Sequence, residues 1–185
     1  WSRMRNPGRP LNTIYWESHG FITPDGNSIY LASNRPGGFG ELDIWKADKK
    51  PDGTWNEPVN LGEPVNTQYN EDTPFFDPAN DALLFSSVGH ISMGGYDVFR
   101  SVIRNGRWSN PVGMPYAFNT TADNSFFVLN NNAPGFLASF YNEKEQQRNI
   151  YAIVAIDPAE ETTRIEGALT LKDGATPDQR KATIR

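Results

Sequence analysis

Two aspartates, Asp43 and Asp97, follow glycine-rich loops 54 residues apart. A pair of carboxylates is what general acid and base chemistry asks for, provided both converge on one reacting atom. Their spacing argues against convergence, because each stands at the same place in a repeated stretch and so belongs to a different copy. An aspartate after such a loop accepts backbone N–H bonds and fixes the turn. Asn149, at the matching place of a third copy, can do the same uncharged. The loops Gly37-Gly38-Phe39-Gly40 and Gly94-Gly95 are followed by no Gly-Lys-Ser/Thr and open no helix. Phosphate would find neither its lysine nor a helix N-terminus there. His19 and His90 do not align with each other, and two histidines without cysteine make a poor metal site, so both read as loop residues. There is no Gly-x-Ser-x-Gly elbow to activate a serine. No catalytic residue, no cofactor and no metal ligand is expected.

What must position these residues is a repeat. Phe21–Trp45, FITPDGNSIYLASNRPGGFGELDIW, returns 54 residues later as Phe75–Phe99, FFDPANDALLFSSVGHISMGGYDVF. Pro24 falls on Pro78, Ser33 on Ser87, Gly40 on Gly94 and Asp43 on Asp97. An eroded third copy runs from about 126 to 151, with Ser139 and Asn149-Ile150-Tyr151 in the matching places. A second element recurs between the copies: Trp1, Trp55 and Trp108 are each followed eleven residues later by Asn-Thr. Each Trp is expected to open a short outer strand that proline then ends, since proline donates no ladder bond. Glu17 and Glu71 align just ahead of the first strand and suit a recurring structural bond.

Composition agrees with short strands and tight turns. The 185 residues carry 16 Gly, 14 Pro and 12% aromatics, and no apolar run approaches the roughly 20 residues of a spanning helix. A net charge of −5 with scattered basic residues argues against nucleic acid. Zero cysteines exclude disulfides. Strands are predicted at 20–23, 28–33, 43–47, 82–87, 97–102, 125–129, 136–140 and 149–156. Asp25-Gly26 and Asn105-Gly106 make the hairpin turns. The aromatics Phe21, Phe75, Phe76, Phe126 and Phe127 are expected to form the inner core, with Trp45, Phe99 and Tyr151 between the units.

Four short antiparallel strands per unit of about 50 residues is the arithmetic of a β-propeller blade. The fold class is therefore all-β: about three four-stranded antiparallel blades of a ring, expected to be about six-bladed, followed by the opening of another domain. Residues 1–16 read as the outer strand and crossover of a preceding blade. Blades follow at 17–69 and 70–122, with a last one at 123–157 lacking its own outer strand. A linker at 158–163 leads into 164–185. The chain reads as an internal piece, with further blades before residue 1.

TPDGNSIYLASNRPGGFGELDIW resembles the PD40 repeat of TolB-like propellers. The fuller pattern of Trp-x-x-Pro, Leu-Gly-x-Pro-Val-Asn-Thr and Glu is similar to that of Bacteroidota outer-membrane-associated proteins. In those, tetratricopeptide repeats, a propeller, a carboxypeptidase-regulatory-like sandwich and an OmpA-like domain follow one another. RIEGALTLKDGATP, within 164–185, resembles the start of that sandwich. The resemblance implies a non-catalytic protein-binding scaffold in the periplasm, associated with the outer membrane, of the kind that anchors type IX secretion machinery. Peptidoglycan would be reached only through a domain outside this chain. Alternatives are the regulatory propeller of a prolyl-oligopeptidase-like serine peptidase and, more weakly, a glycan-binding or glycan-active propeller. Partner contacts are sought among loop residues that break the repeat: Arg35, Glu41, His90, Ser92, Met93 and the 130–132 asparagines. Trp1, Trp55, Trp108, Asp43, Asp97 and Asn149 are its structural members.

Overall fold

A computed structural model describes residues 3–116, 118–130, 133–142 and 147–153. Trp1, Asn131, Asn132, the 158–163 linker and the 164–185 segment lie outside the described residues. Among those described there is no helix, and every strand pairing is antiparallel. The first sheet runs β1 (Glu17–Ile22), β2 (Ser28–Ser33), β3 (Asp43–Asp48) and β4 (Val59–Asn60) in spatial order. The second repeats it with β5 (Glu71–Asp77), β6 (Ala82–Ser87), β7 (Asp97–Arg104) and β8 (Arg107–Trp108), and β9 (Val112–Gly113) also pairs with β7. The third holds β10 (Asn124–Asn130), β11 (Ala133–Asn142) and β12 (Gln147–Ile153).

Register follows the repeat. Ser33 faces Asp43, Ser87 faces Asp97 and Ser139 faces Asn149, so all three copies pair their second and third strands alike. The alternation of the second strands then sends Ile29 and Leu31 to one face and Tyr30 and Ala32 to the other. The first hairpin is closed by Asp25, which accepts from the Thr23 hydroxyl at 2.6 Å and the Asn27 amide at 3.1 Å. Gly26 supplies the positive φ of that turn.

Three apolar layers hold the sheets face to face. Leu31, Trp45 and Ala47 bury one face of the first sheet against Leu11 of the N-terminal segment. Tyr30, Ala32 and Ile44, on the opposite face, pack against Val65, Leu83, Phe85 and Phe99. Leu84 and Val98 then pack with Phe75, Phe127 and Leu137 of the second and third sheets. Leu11, Leu31 and Trp45 map 54 residues on to Val65, Phe85 and Phe99, so equivalent faces are covered by equivalent positions.

The outer strands correct the sequence reading. Pairing does not end at the proline: it resumes after Pro58 as β4, where Asn60 faces Trp45, and after Pro111 as β9, where Gly113 faces Phe99. Trp55 makes only an isolated bridge to Lys49, whereas Trp108 sits in β8. Proline interrupts the ladder for the residues that lack a donor, and the chain re-registers beyond it. Two aromatics also depart from the expected core, because Phe126 and Tyr151 are exposed while Phe127, Trp45 and Phe99 are buried. The first strand begins earlier than predicted, at Glu17, with a bulge between Glu17 and Gly20.

Candidate functional site

The recurring polar residues are taken up by the frame. Asp43 accepts from the amides of Phe39 at 2.6 Å and Gly40 at 3.3 Å, and from Asn60 Nδ2 at 3.2 Å. Asp97 accepts from the Met93 and Gly94 amides in the same way. Glu71, fully buried, accepts from the Thr67 amide and hydroxyl at 2.8 and 2.7 Å and from the Ser87 hydroxyl at 2.8 Å. Glu17 repeats this with Thr13 and Ser33, and Asn124 repeats the Thr120 part. Asn66 brackets Ile44, accepting from its amide at 2.8 Å and donating to its carbonyl at 2.9 Å, and Asn119 brackets Val98 likewise. The recurrent Asn-Thr pair therefore serves two ends: in the two later copies Asn substitutes for a ladder partner, and in all three Thr binds the side chain of Glu17, Glu71 or Asn124 at the start of the next first strand.

The partner candidates divide by place. Arg35 is buried rather than displayed: its guanidinium donates to the carbonyls of Pro10 and Leu11 and to Glu17, and lies 5.6 Å from the Trp45 ring. Burial pulls its pKa down, and Glu17 opposes that pull. His90 packs against Phe85 and Phe99, and its Nε2 lies 3.0 Å from the Val65 carbonyl, which can only accept, so that nitrogen carries the proton. Glu41, Ser92 and Met93 do stand exposed on the loops. Asn149 occupies its expected place in β12, opposite Ser139.

One cluster was not anticipated from sequence. The first strands of the three sheets lie side by side, each with an irregularity in its pairing, and Thr73 and Phe126 adopt positive φ at two of them. There Asp72 Oδ1 accepts from the Ser18 hydroxyl at 2.6 Å and the Thr73 amide at 2.8 Å. His19 Nδ1 approaches the same oxygen at 2.9 Å, and its ring meets Phe126 edge-on with centroids 4.5 Å apart. A carboxylate only accepts, so Nδ1 carries a proton. Ser18 bonds the carboxylate and not the imidazole, unlike the order in which a histidine activates a serine. The cluster clasps the first sheet to the second. Its sequence signal was Asp72 itself, which stands where the first copy has Ser18.

The other exposed feature is the loop end of the sheets. The glycine-rich loop of the first copy closes onto the crossover 66–70, where Phe39 and Tyr69 stay exposed beside Glu63. Among the described residues no group of three or more His, Asp or Glu could hold a metal ion, and no helix is long and apolar enough to cross a membrane. The chain matches no family model, no curated protein and no solved structure.

Proposed function

We propose that the chain is a run of propeller blades serving as a non-catalytic docking scaffold of the bacterial cell envelope, periplasmic and associated with the outer membrane. The observation that carries the scaffold reading is the fate of the recurring polar groups. Asp43, Asp97, Glu17, Glu71, Asn66 and Asn119 are all bonded into their own sheets or crossovers, which leaves the repeat a frame rather than a reaction centre. The blade reading is supported by face-to-face stacking in one register, and by an open end. Phe136 and Ile150, at the positions of Leu84 and Val98, are 47% and 77% exposed where those two are 2% and 0%. The face that meets a next sheet twice is thus built for another. The envelope placement, and the link to type IX secretion and peptidoglycan anchoring, follow from the PD40-like sequence alone.

Crosslinking the intact protein in cells and identifying what is caught tests this. Envelope proteins are the expected catch, with the protein itself in the periplasmic or outer-membrane fraction. Recovery of small glycans and no protein would favour the glycan-binding alternative. Peptide hydrolysis that depends on this chain would favour the peptidase alternative.

A further inference from the structure

We propose that the groove between the first glycine-rich loop and the crossover that follows it receives an arginine side chain from an extended segment of a partner protein. This names the partner chemistry of the scaffold reading and rests on that reading. The groove is a cavity of about 480 Å³ lined by Phe39, Glu63, Gln68, Tyr69 and Gly89, among others.

Its walls are held by backbone. A Cβ at Gly40 would lie 1.9 Å from the Tyr69 carbonyl oxygen, so the loop rests directly on the crossover. Asp43 holds the Phe39 amide from behind. The two rings are therefore presented from fixed chain, yet Phe39 is 53% and Tyr69 51% exposed. The frame does not require them. In the second copy the equivalents of Phe39, Glu63 and Tyr69 are Met93, Tyr116 and Ala122, and the loop there is held by Asp97 in the same way. Side chains that one copy displays and its twin does without are candidates for recognition.

Charge selects the occupant. Among the described residues Glu63 is the one charged side chain lining the groove, and Glu41 stands exposed two residues beyond Phe39. Carboxylates gather near the adjoining loop of the second copy: the Tyr96 phenol is pushed up to about 12 by burial first and then by Asp72, Asp123, Glu71 and Glu41. A guanidinium satisfies both features, because it stacks on aromatic faces and meets a carboxylate in a planar fork. A sugar would need more hydrogen-bonding groups than the groove offers. Asn66 is engaged by Ile44 and Asn60, and Thr67 by Glu71, leaving Gln68, Glu63 and the Tyr69 hydroxyl.

The test is an NMR titration of the chain with a short neutral-backbone peptide holding one arginine, beside its lysine and citrulline analogues. Shifts are expected at Phe39, Glu63, Gln68, Tyr69 and Gly89, weakening with salt. Phe39→Met and Tyr69→Ala install the residues of the second copy and so keep the fold. Each should weaken binding about 3-fold or more, as should Glu63→Gln. Equal binding of citrulline, shifts elsewhere, or unchanged affinity in all three variants would overturn the proposal. A photo-crosslinker at Gln68 in the intact protein separates this from the scaffold reading. Envelope proteins caught from other positions but not from Gln68 sink the groove alone, whereas peptide binding with no protein caught anywhere sinks the scaffold.

Discussion

Asp97 shows what one eroded position does to a repeat. Asn60 donates to Asp43 and also accepts from Gly62 and Asn66. Its counterpart is Gly113, and Asp97 Oδ1 is left buried without a hydrogen-bond partner among the described residues. A Cβ at Gly113 would meet Phe99 at 3.5 Å, an ordinary contact, so a side chain can be admitted. Gly113→Asn should therefore stabilise the protein by about 1 kcal/mol, read as a rise in the denaturation midpoint. An unchanged or lower midpoint would mean that asparagine does not reach the carboxylate. Glu17 gives the pH-dependent counterpart. Burial alone would raise its pKa, but the Thr13 hydroxyl and amide, the Arg35 guanidinium and the Ser33 hydroxyl outweigh burial and hold it below its ordinary value. The folded pKa lies below the unfolded one, so its contribution is present above about pH 4.3 and is lost as pH falls through the folded value. Glu17→Gln should lower the melting temperature at neutral pH, leaving Arg35 uncompensated, and the gap from the parent should narrow as the pH falls below about 4.3 and through the folded value. A gap of constant size would remove Glu17 from the acid response. Trp45→Ala is a third case, since Trp45 is buried and its Nε1 donates to the Ser33 carbonyl at 3.1 Å; a loss of about 3–5 kcal/mol is expected in a thermal or denaturant melt.

Between residue and molecule lies the loop that closes each sheet onto its crossover. Gly94 matches Gly40, and a Cβ there would lie 2.7 Å from the carbonyl oxygens of Thr120 and Ala122. Backbone cannot yield as a flexible side chain can, so Gly40→Ala and Gly94→Ala should each cost about 1–3 kcal/mol. A neutral result in a denaturant melt would show that the crossover gives way. Such loops, and the strands on either side, were legible because local chemistry writes them. β2 and β6 fall where alternation and terminal serines put them, and Asn105-Gly106 makes its turn. The rest depended on distant partners. Arg35 looked like an exposed loop cation, yet carbonyls about 25 residues away bury it. Asp72 departs from the repeat only in standing where the first copy has Ser18, and the bulges of adjoining first strands are what set it against Ser18 and His19. Thr73 and Phe126 take left-handed backbone with no glycine to announce it. Phe39 enters the sequence pattern only inside a glycine-rich loop and Tyr69 not at all, since a groove between two loops has no periodicity of its own.

Across the described sheets, the apolar layers join mainly neighbours: the N-terminal segment with the first sheet, the first sheet with the second, the second with the third. The first sheet reaches the third only through Phe21 at the edge of the last layer and the His19–Phe126 ring contact. Stability in such an arrangement is a sum of unit and interface terms, so a local defect need not spread. The clasp of Ser18 and His19 on Asp72 adds a polar tie at one interface, while Phe127 anchors the other within the layer of Phe75, Leu84, Val98 and Leu137. Phe127→Ala removes a large buried ring from that second interface, at a cost of about 3–5 kcal/mol to the sheets that meet there. Native-state hydrogen exchange should then quicken most in β10, β11 and β12, while amides of β2 and β3 keep near-parental protection. Equal acceleration in β2 and β3 would mean that the three sheets open as one cooperative body, and that coupling along the stack outweighs the strength of any single layer.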